Sequence, residues 1–337
     1  MQTPRASSDS CDDANACTVA DHCSSGVCVG GGPPDDSLGD FTTAFTSDAS
    51  VSVHGVAAAA DGGAFVLLSV AGPVPLVAHA GPGQPQSTAA PAGADAYVSL
   101  VRLRPDGTLQ WVKPLITASG SGARATGWGG LTIHEGDLLT ASFFAAGENL
   151  SVGSLLTRDV ATNQVLGIVR LSADGDVLWK SYVEASFVED GALGTRVTCT
   201  SRSGRAALVV APRVTVYDQS DVHDLHLHDA VARITPIRAL ALGATVAVVA
   251  LTATGQLAFS GRIDSDNDLS ALGCAIDDSG RLAVTGVAEG VQLSSATFEG
   301  THVTPANVSH VNNRTGWVAG FGSNQIPIFV TRLHSAL

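Results

Sequence analysis

The sequence predicts an all-β chain that forms a β-propeller, with four blades of about four antiparallel strands each, and three observations predict it. The chain holds 37 glycines and 14 prolines among many Thr, Ser and Val residues, which is typical of short strands joined by tight turns. One unit recurs four times, at a period of roughly 70 to 80 residues. Each copy carries two hairpin patterns, so one copy has the strand content of one propeller blade.

The second hairpin of the repeat is the most regular element. In three copies an alternating strand leads to a glycine in the bend, and an aromatic residue stands four positions after that glycine. Asp or Thr precedes the glycine, and an Asp-Gly bend supplies the positive φ angles that tight hairpin turns demand. The copies run over 101–111, 169–179 and 249–259, with the glycines Gly107, Gly175 and Gly255.

A first hairpin precedes each of these segments. It occurs in all four copies, where a turn separates two short strands. The four occurrences lie at 61–68, 135–142, 203–210 and 279–286. Together the two hairpins predict a propeller domain over residues 36–337. Its blades are expected at approximately 51–116, 126–186, 194–263 and 271–337.

The fourth copy looks incomplete in the sequence. Residues 326–333 match the third strand of a blade, and the glycine turn and fourth strand that should follow are missing. Residues 39–46 alternate Phe41, Thr43 and Phe45, which suits an outer strand. We therefore expect this N-terminal strand to pair with the C-terminal blade and close the ring. A β-sandwich with accidental internal similarity, and a larger propeller formed by two chains, stay open as alternatives.

Length and charge limit the functions that the chain can have. With 337 residues, 45% of them hydrophobic and 15% charged, it has enough apolar side chains to bury a large core. The formal net charge of −13 argues against nucleic acid and anionic lipid as partners, because both require a clustered basic face. No apolar run approaches the roughly 18 residues that cross a bilayer, so we expect no membrane span.

The cysteines indicate an oxidising compartment. Four of the six lie in the segment 1–35: Cys11, Cys17, Cys23 and Cys28. They lack the closely spaced ligand pairs of structural zinc sites, so we expect disulfides. Disulfides predict a secreted or cell-surface protein, whose export signal is not present in this chain. Cys199 and Cys274 occupy nearly equivalent points of the third and fourth blades, and are either an inter-blade disulfide or two separate buried thiols.

Two segments of the sequence resemble the repeat of a known family. Residues 273–286 read Gly-Cys-Ala-Ile-Asp-Asp-Ser-Gly-Arg-Leu-Ala-Val-Thr-Gly, and residues 95–103 read Asp-Ala-Tyr-Val-Ser-Leu-Val-Arg-Leu. They resemble the two halves of the repeat in secreted bacterial β-propeller proteins of the SBBP type, which are abundant in myxobacteria. Residues 11–28 are similar to the short cysteine modules that precede such domains. The resemblance implies a fold and an extracellular location, and it supplies no catalytic residues.

A histidine-rich segment contains the residue types of a metal site. His223, His226 and His228 lie close together beside acidic residues. On a strand His226 and His228 share a face, so they could bind Zn²⁺ or Cu²⁺ with an acidic neighbour. The alternative is a solvated loop or edge strand.

An acidic segment has the oxygen-rich alternation of a calcium loop. Its carboxylates are those of Asp264, Asp266 and Asp268. The glycine and the bidentate glutamate of an EF-hand are missing from it. We expect no required cofactor, and Ca²⁺ is the possible ligand of this acidic segment.

No local hydrolase motif, such as a G-x-S-x-G nucleophile elbow, is present in the sequence. We predict a non-enzymatic module that binds protein or polysaccharide at the cell surface, or that self-associates, because long inter-strand segments at 72–93 and 286–327 offer binding loops. The alternative is a hydrolase or lyase with its site at the mouth of the propeller channel. That function requires a cluster of carboxylates or histidines at one end of the channel.

Overall fold

A computed structural model gives the architecture of the chain. It describes residues 22–24, 27–29, 43–80, 85–134, 138–152, 159–186, 195–211, 224–238, 245–264, 269–288, 295–298, 301–303, 315–322 and 327–333. These residues form β-strands and turns, so the prediction of an all-β chain is confirmed. Within the described ranges, no helix is long and apolar enough to cross a membrane.

The described ranges contain 25 strands. They are β1 (His22–Ser24), β2 (Val27–Val29), β3 (Thr43–Thr46), β4 (Ser50–Ala58), β5 (Ala64–Ala71), β6 (Leu76–Ala80), β7 (Gln86–Thr88), β8 (Ala96–Leu103), β9 (Leu109–Ser119), β10 (Arg124–Ile133), β11 (Leu139–Val152), β12 (Asp159–Leu171), β13 (Val177–Ser186), β14 (Thr195–Thr200), β15 (Ala206–Ala211), β16 (Asp224–His228), β17 (Ile234–Arg238), β18 (Thr245–Leu251), β19 (Leu257–Asp264), β20 (Leu269–Ile276), β21 (Leu282–Ala288), β22 (Ser295–Phe298), β23 (Thr301–Val303), β24 (Thr315–Phe321) and β25 (Pro327–Leu333).

Four units of consecutively paired antiparallel strands make up most of the described structure. Unit 1 consists of β4, β5, β8 and β9, and unit 2 of β10 to β13. Unit 3 consists of β14, β15, β18 and β19, and unit 4 of β20, β21, β24 and β25. Each unit therefore has the four strands that the repeat predicts.

The turns between third and fourth strands share one geometry in units 1 to 3. In unit 1 the Arg104 N–H donates to the carbonyl of Thr108, and the Gly107 N–H donates back to the carbonyl of Arg104, both at 2.9 Å. The turn glycines have φ of 77° at Gly107, 79° at Gly175 and 76° at Gly255, a region that L side chains avoid. This is a type I turn followed by a left-handed residue, so the glycine alone supplies the positive φ that the sequence predicts for the bend.

Inserted hairpins join each unit to the one before it. Units 3 and 4 carry a hairpin between their second and third strands, β16–β17 and β22–β23. Each hairpin pairs with the fourth strand of the preceding unit, β16 with β13 and β22 with β19. In unit 2 the far end of β11 takes this role and pairs with β9. The long inter-strand segments are therefore partly structural ties between units.

Unit 4 differs from the expectation. Leu282 of β21 is opposite Phe321 of β24, as Ala64 of β5 is opposite Leu103 of β8, so β24 is the third strand and β25 is the fourth. The prediction that residues 326–333 are a third strand and that the fourth is missing is wrong. Asn324-Gln325 stands where the other repeats have Asp-Gly or Thr-Gly, so the sequence lacks the turn signal that marks the end of β24.

The N-terminal strand also has a different partner from the expected one. Residues 43–46 form β3, which pairs with β6 of the hairpin β6–β7 inserted in unit 1, while residues 39–42 lie outside the described ranges. Within the described residues no pairing joins β3 to unit 4, so the expected closure of the ring through this strand is wrong. Unit 4 already has its own fourth strand, and β3 completes a small sheet with β6 and β7 instead.

The hydrophobic core consists of layers between successive units. Both faces of the central strands are buried, as in β8, β15 and β18, because a neighbouring sheet covers each side. One layer joins units 1 and 2, a second joins units 2 and 3, and a third joins units 3 and 4. A fourth apolar cluster covers the other face of unit 1, where Phe45 of β3 and Leu76 of β6 pack.

Candidate functional site

The seam between unit 2 and the hairpin β16–β17 contains two of the three histidines that the sequence singled out, His226 and His228. Tyr182 of β13 is opposite His228 of β16, and Glu184 is opposite His226. Because side chains alternate between faces along a strand, these four residues share one face of the sheet. We call them the seam cluster.

The seam cluster is held by a buried carboxylate. A hydrogen bond of 2.7 Å joins His228 Nε2 to Glu184 Oε2, and Glu184 is only 3% exposed. The imidazole of His228 also stacks on the ring of Tyr182, with centroids 4.5 Å apart and planes 7° apart. A buried carboxylate requires a hydrogen-bonding partner, so His228 ties the hairpin to unit 2.

The structure describes only some of the predicted metal ligands. His223, Asp266 and Asp268 lie outside the described residues, and for Asp264 only its backbone position at the end of β19 is described. Among the described side chains, no group of three or more His, Cys, Asp or Glu residues could hold a metal ion. The metal sites therefore stay predictions from the sequence.

Sequence reasoning missed Glu184 and Tyr182. Both stand at alternate positions of β13 after Lys180, a pattern that marks one face of a strand. The sequence does contain a signal for Glu184, because a glutamate among the apolar residues of a strand needs a hydrogen-bonding partner. Its pairing with a hairpin 44 positions away in the chain had no local signal.

Lys180 lies on the same face of β13, nearer the start of the strand. Its Nζ approaches the carbonyl of Val152 at 3.5 Å. Burial lowers the pKa of the Lys180 amine to about 8, because a half-buried ammonium loses hydration. The Lys180 amine therefore loses its proton at a lower pH than an exposed lysine does.

The seam between units 2 and 3 contains an arginine between two aromatic rings. The Arg196 guanidinium carbon lies 3.8 Å from the ring centroid of Phe144 and 4.7 Å from that of Trp128. Trp128 Nε1 donates to the Arg196 carbonyl at 2.7 Å. Burial lowers the pKa of Arg196, and the two rings offset part of that cost through cation–π attraction. The stack locks β14 against β10 and β11.

The seam between units 3 and 4 contains the disulfide. Cys199 of β14 and Cys274 of β20 are bonded, with Cα atoms 5.8 Å apart, so the inter-repeat pairing that the sequence offered is present. Nearby, Asp278 accepts the Ser203 N–H at 2.7 Å, and this hydrogen bond lowers the pKa of the Asp278 carboxyl. Arg205 Nε donates to the Asp278 carbonyl at 3.1 Å.

The other four cysteines are described only in part. Cys11 and Cys17 lie outside the described residues. Cys23 and Cys28 are directly opposite each other in the strand pair β1–β2. The disulfides of this segment stay predictions.

One histidine of unit 1 contacts a serine of its own unit and a threonine of unit 2. His54 Nε2 is 2.7 Å from Ser69 Oγ and 3.2 Å from Thr126 Oγ1. A nucleophilic serine needs a base that a third group orients, and no described carboxylate hydrogen-bonds the other nitrogen of His54. A Cβ atom on Gly127 would lie 2.6 Å from His54, so the ring fills the space over that glycine. The arrangement joins β4 to β10 by packing.

Comparisons with known proteins leave the family open. No family model and no curated protein matches the chain. Among solved structures, the chain is similar to a catalytically inactive virginiamycin B lyase from Staphylococcus aureus with quinupristin, at 11% sequence identity and a TM-score of 0.22. The match covers 83% of this chain and 96% of the lyase chain.

Proposed function

We propose that the chain is a non-enzymatic extracellular scaffold whose four units are propeller blades, and that it binds protein or polysaccharide or assembles with itself at the cell surface. One observation carries the proposal: an inserted segment of each later unit pairs with the fourth strand of the unit before it. This cross-pairing supports the proposal, because it holds each unit against the next, as a scaffold requires.

The disulfide between units 3 and 4 supports an extracellular location. A disulfide joins β14 to β20 across two units, and such bonds persist in oxidising compartments. The short segment 1–35 would then be a disulfide-bonded module ahead of the scaffold. The resemblance of the repeat to secreted bacterial repeat proteins agrees with this location.

Exposed apolar side chains favour assembly. On β4, the first strand of unit 1, Val53 is 53% and Val56 63% exposed, and on β20, the first strand of unit 4, Leu272 is 64% exposed. Between these strands, first strands lie side by side, since a Cβ atom on Gly55 would lie 2.7 Å from the backbone N of Leu131 in β10. Val53, Val56 and Leu272 thus offer exposed apolar surface to a partner.

The test is a search for partners with a matched surface control. The oxidised full chain is measured by sedimentation over a range of concentrations, and is screened against polysaccharide arrays and cell-surface extracts. We expect self-association or a specific captured component, weakened by Val56→Asp with Leu272→Asp and unchanged by Leu178→Asp, which alters another exposed leucine. A strict monomer that captures nothing would contradict the proposal.

A further inference from the structure

Strand β3 lies where the fourth strand of a preceding unit belongs. The hairpins β16–β17 and β22–β23 pair with fourth strands, β13 and β19. The equivalent hairpin of unit 1 is β6–β7, and its partner is β3, with Thr43 opposite Ala80 and Thr46 opposite Val77. The inserted hairpin therefore pairs with a fourth strand in units 3 and 4, and with β3 in unit 1.

A second contact gives the same placement. In β13, Ser181 Oγ donates at 2.5 Å to the carbonyl of Gly255, the turn glycine of the next unit. In β3, Thr43 Oγ1 donates at 2.8 Å to the carbonyl of Gly107, the equivalent turn glycine of unit 1. The hydroxyl of β3 therefore makes the contact that a fourth strand makes on the following unit.

The packing of β3 agrees with this role. Phe45 packs on the apolar cluster of unit 1, together with Val66, Leu68 and Tyr97, which are nearly fully buried. Without β3 that face and the edge of β6 would be exposed, and an exposed edge over an apolar face is a template for another strand.

We propose that β3 is a built-in surrogate strand, and that the site it covers on unit 1 accepts the fourth strand β25 of a second copy of this chain. The occupant follows from continuity with the interfaces inside the chain, where fourth strands of this same sequence fill the equivalent sites on units 3 and 4. Among the described residues, β25 pairs with β24 alone, whereas β9, β13 and β19 each have a second partner from the next unit. Exchange of β3 for β25 joins two copies head to tail.

This inference rests on the proposed function, because it names a second copy of the chain as the partner in assembly and β3 as the strand that blocks the site. A carboxylate at position 45 would lie against the apolar face of unit 1, so Phe45→Asp releases β3. Thr46→Asp is the matched control, since it adds the same charge to the same strand on its exposed side.

The experiment measures the mass of the oxidised full chain by sedimentation at several concentrations. We expect Phe45→Asp to lower the dissociation constant for self-association by about tenfold or more, because release of β3 frees the site. Thr46→Asp should behave as the unaltered chain. A labelled 327–333 peptide should bind Phe45→Asp and fail to bind the Thr46→Asp control.

Hydrogen exchange at Val77 to Ala80 reports whether β3 has left the edge of β6. A freed edge with unchanged self-association and no peptide binding overturns the inference. If Phe45→Asp does not fold, cysteines at the opposed positions Ala44 and His79 replace it, and the oxidised form locks β3. Equal self-association and peptide binding of locked and unlocked forms overturns the inference too. These results do not test the proposed function, which depends on whether the unaltered chain captures a partner.

Discussion

Removal of the Cys199–Cys274 disulfide has an effect that can be calculated from the structure. The two cysteines are 75 residues apart in sequence, so the bond constrains a long loop of the unfolded chain. For a loop of that length, the entropy gained on removing the bond is about 15 cal/mol/K, or about 4.5 kcal/mol at 25 °C. Both positions pack beside the apolar layer of units 3 and 4, so alanine keeps part of that packing. We expect Cys199→Ala with Cys274→Ala to lower the free energy of unfolding by about 4 kcal/mol.

Urea unfolding followed by circular dichroism and tryptophan fluorescence measures this change. The double variant isolates the bond, whereas a reductant would also act on disulfides of the N-terminal segment. Each single variant serves as a control, because it also lacks the bond and should lose a similar amount. A free energy of unfolding within about 1 kcal/mol of that of the unaltered chain would show that the bond does not constrain the unfolded loop.

Three further predictions concern single side chains. Ala232 has a φ of 60°, where the other turns have glycine, so Ala232→Gly should raise the free energy of unfolding by about 0.5–1 kcal/mol, and a lower urea midpoint would count against the turn geometry. His228→Ala removes one hydrogen-bond partner of the buried Glu184 carboxylate and should lower the free energy of unfolding by about 1–3 kcal/mol, more than His226→Ala in the same assay; equal losses would contradict this role of His228. The pKa of Lys180 falls to about 8 on folding from 10.5, so the unfolded chain binds more protons between those pH values and stability rises with pH there. Lys180→Met should abolish that rise and stabilise the fold at pH 7 by about 1 kcal/mol, a figure reduced for partial exposure; a rise that persists in the variant would contradict the assignment.

The repeat and its turns could be predicted from the sequence because they depend on local chemistry. Gly107, Gly175 and Gly255 mark turns that need a left-handed residue, and each one adopts it. Where that local signal is absent, the prediction failed. Asn324-Gln325 gives no glycine, and the strands of unit 4 were shifted by one place in consequence.

The ties between units could not be predicted, since pairing between distant strands leaves no local trace. Nothing around β16 indicates that it pairs with β13, and the partner of β3 was misassigned for the same reason. Only half of the seam cluster could be recognised from the sequence. His226 and His228 stood out by their density, while the buried Glu184 required knowledge of the strand opposite. Cys199 and Cys274 could be matched because equivalent positions of a repeat lie close together in adjacent units.

The hairpins β16–β17 and β22–β23 pair with the fourth strand of the unit before them. Native-state hydrogen exchange measured by mass spectrometry tests this pairing, through the amides of β16 and β17 compared with those of β12 and β13. If β16 is paired with β13, the hairpin and the unit should exchange with similar protection and lose it together as denaturant rises. Exchange of the hairpin at the rate of an unprotected chain, while β12 and β13 stay protected, would contradict the account.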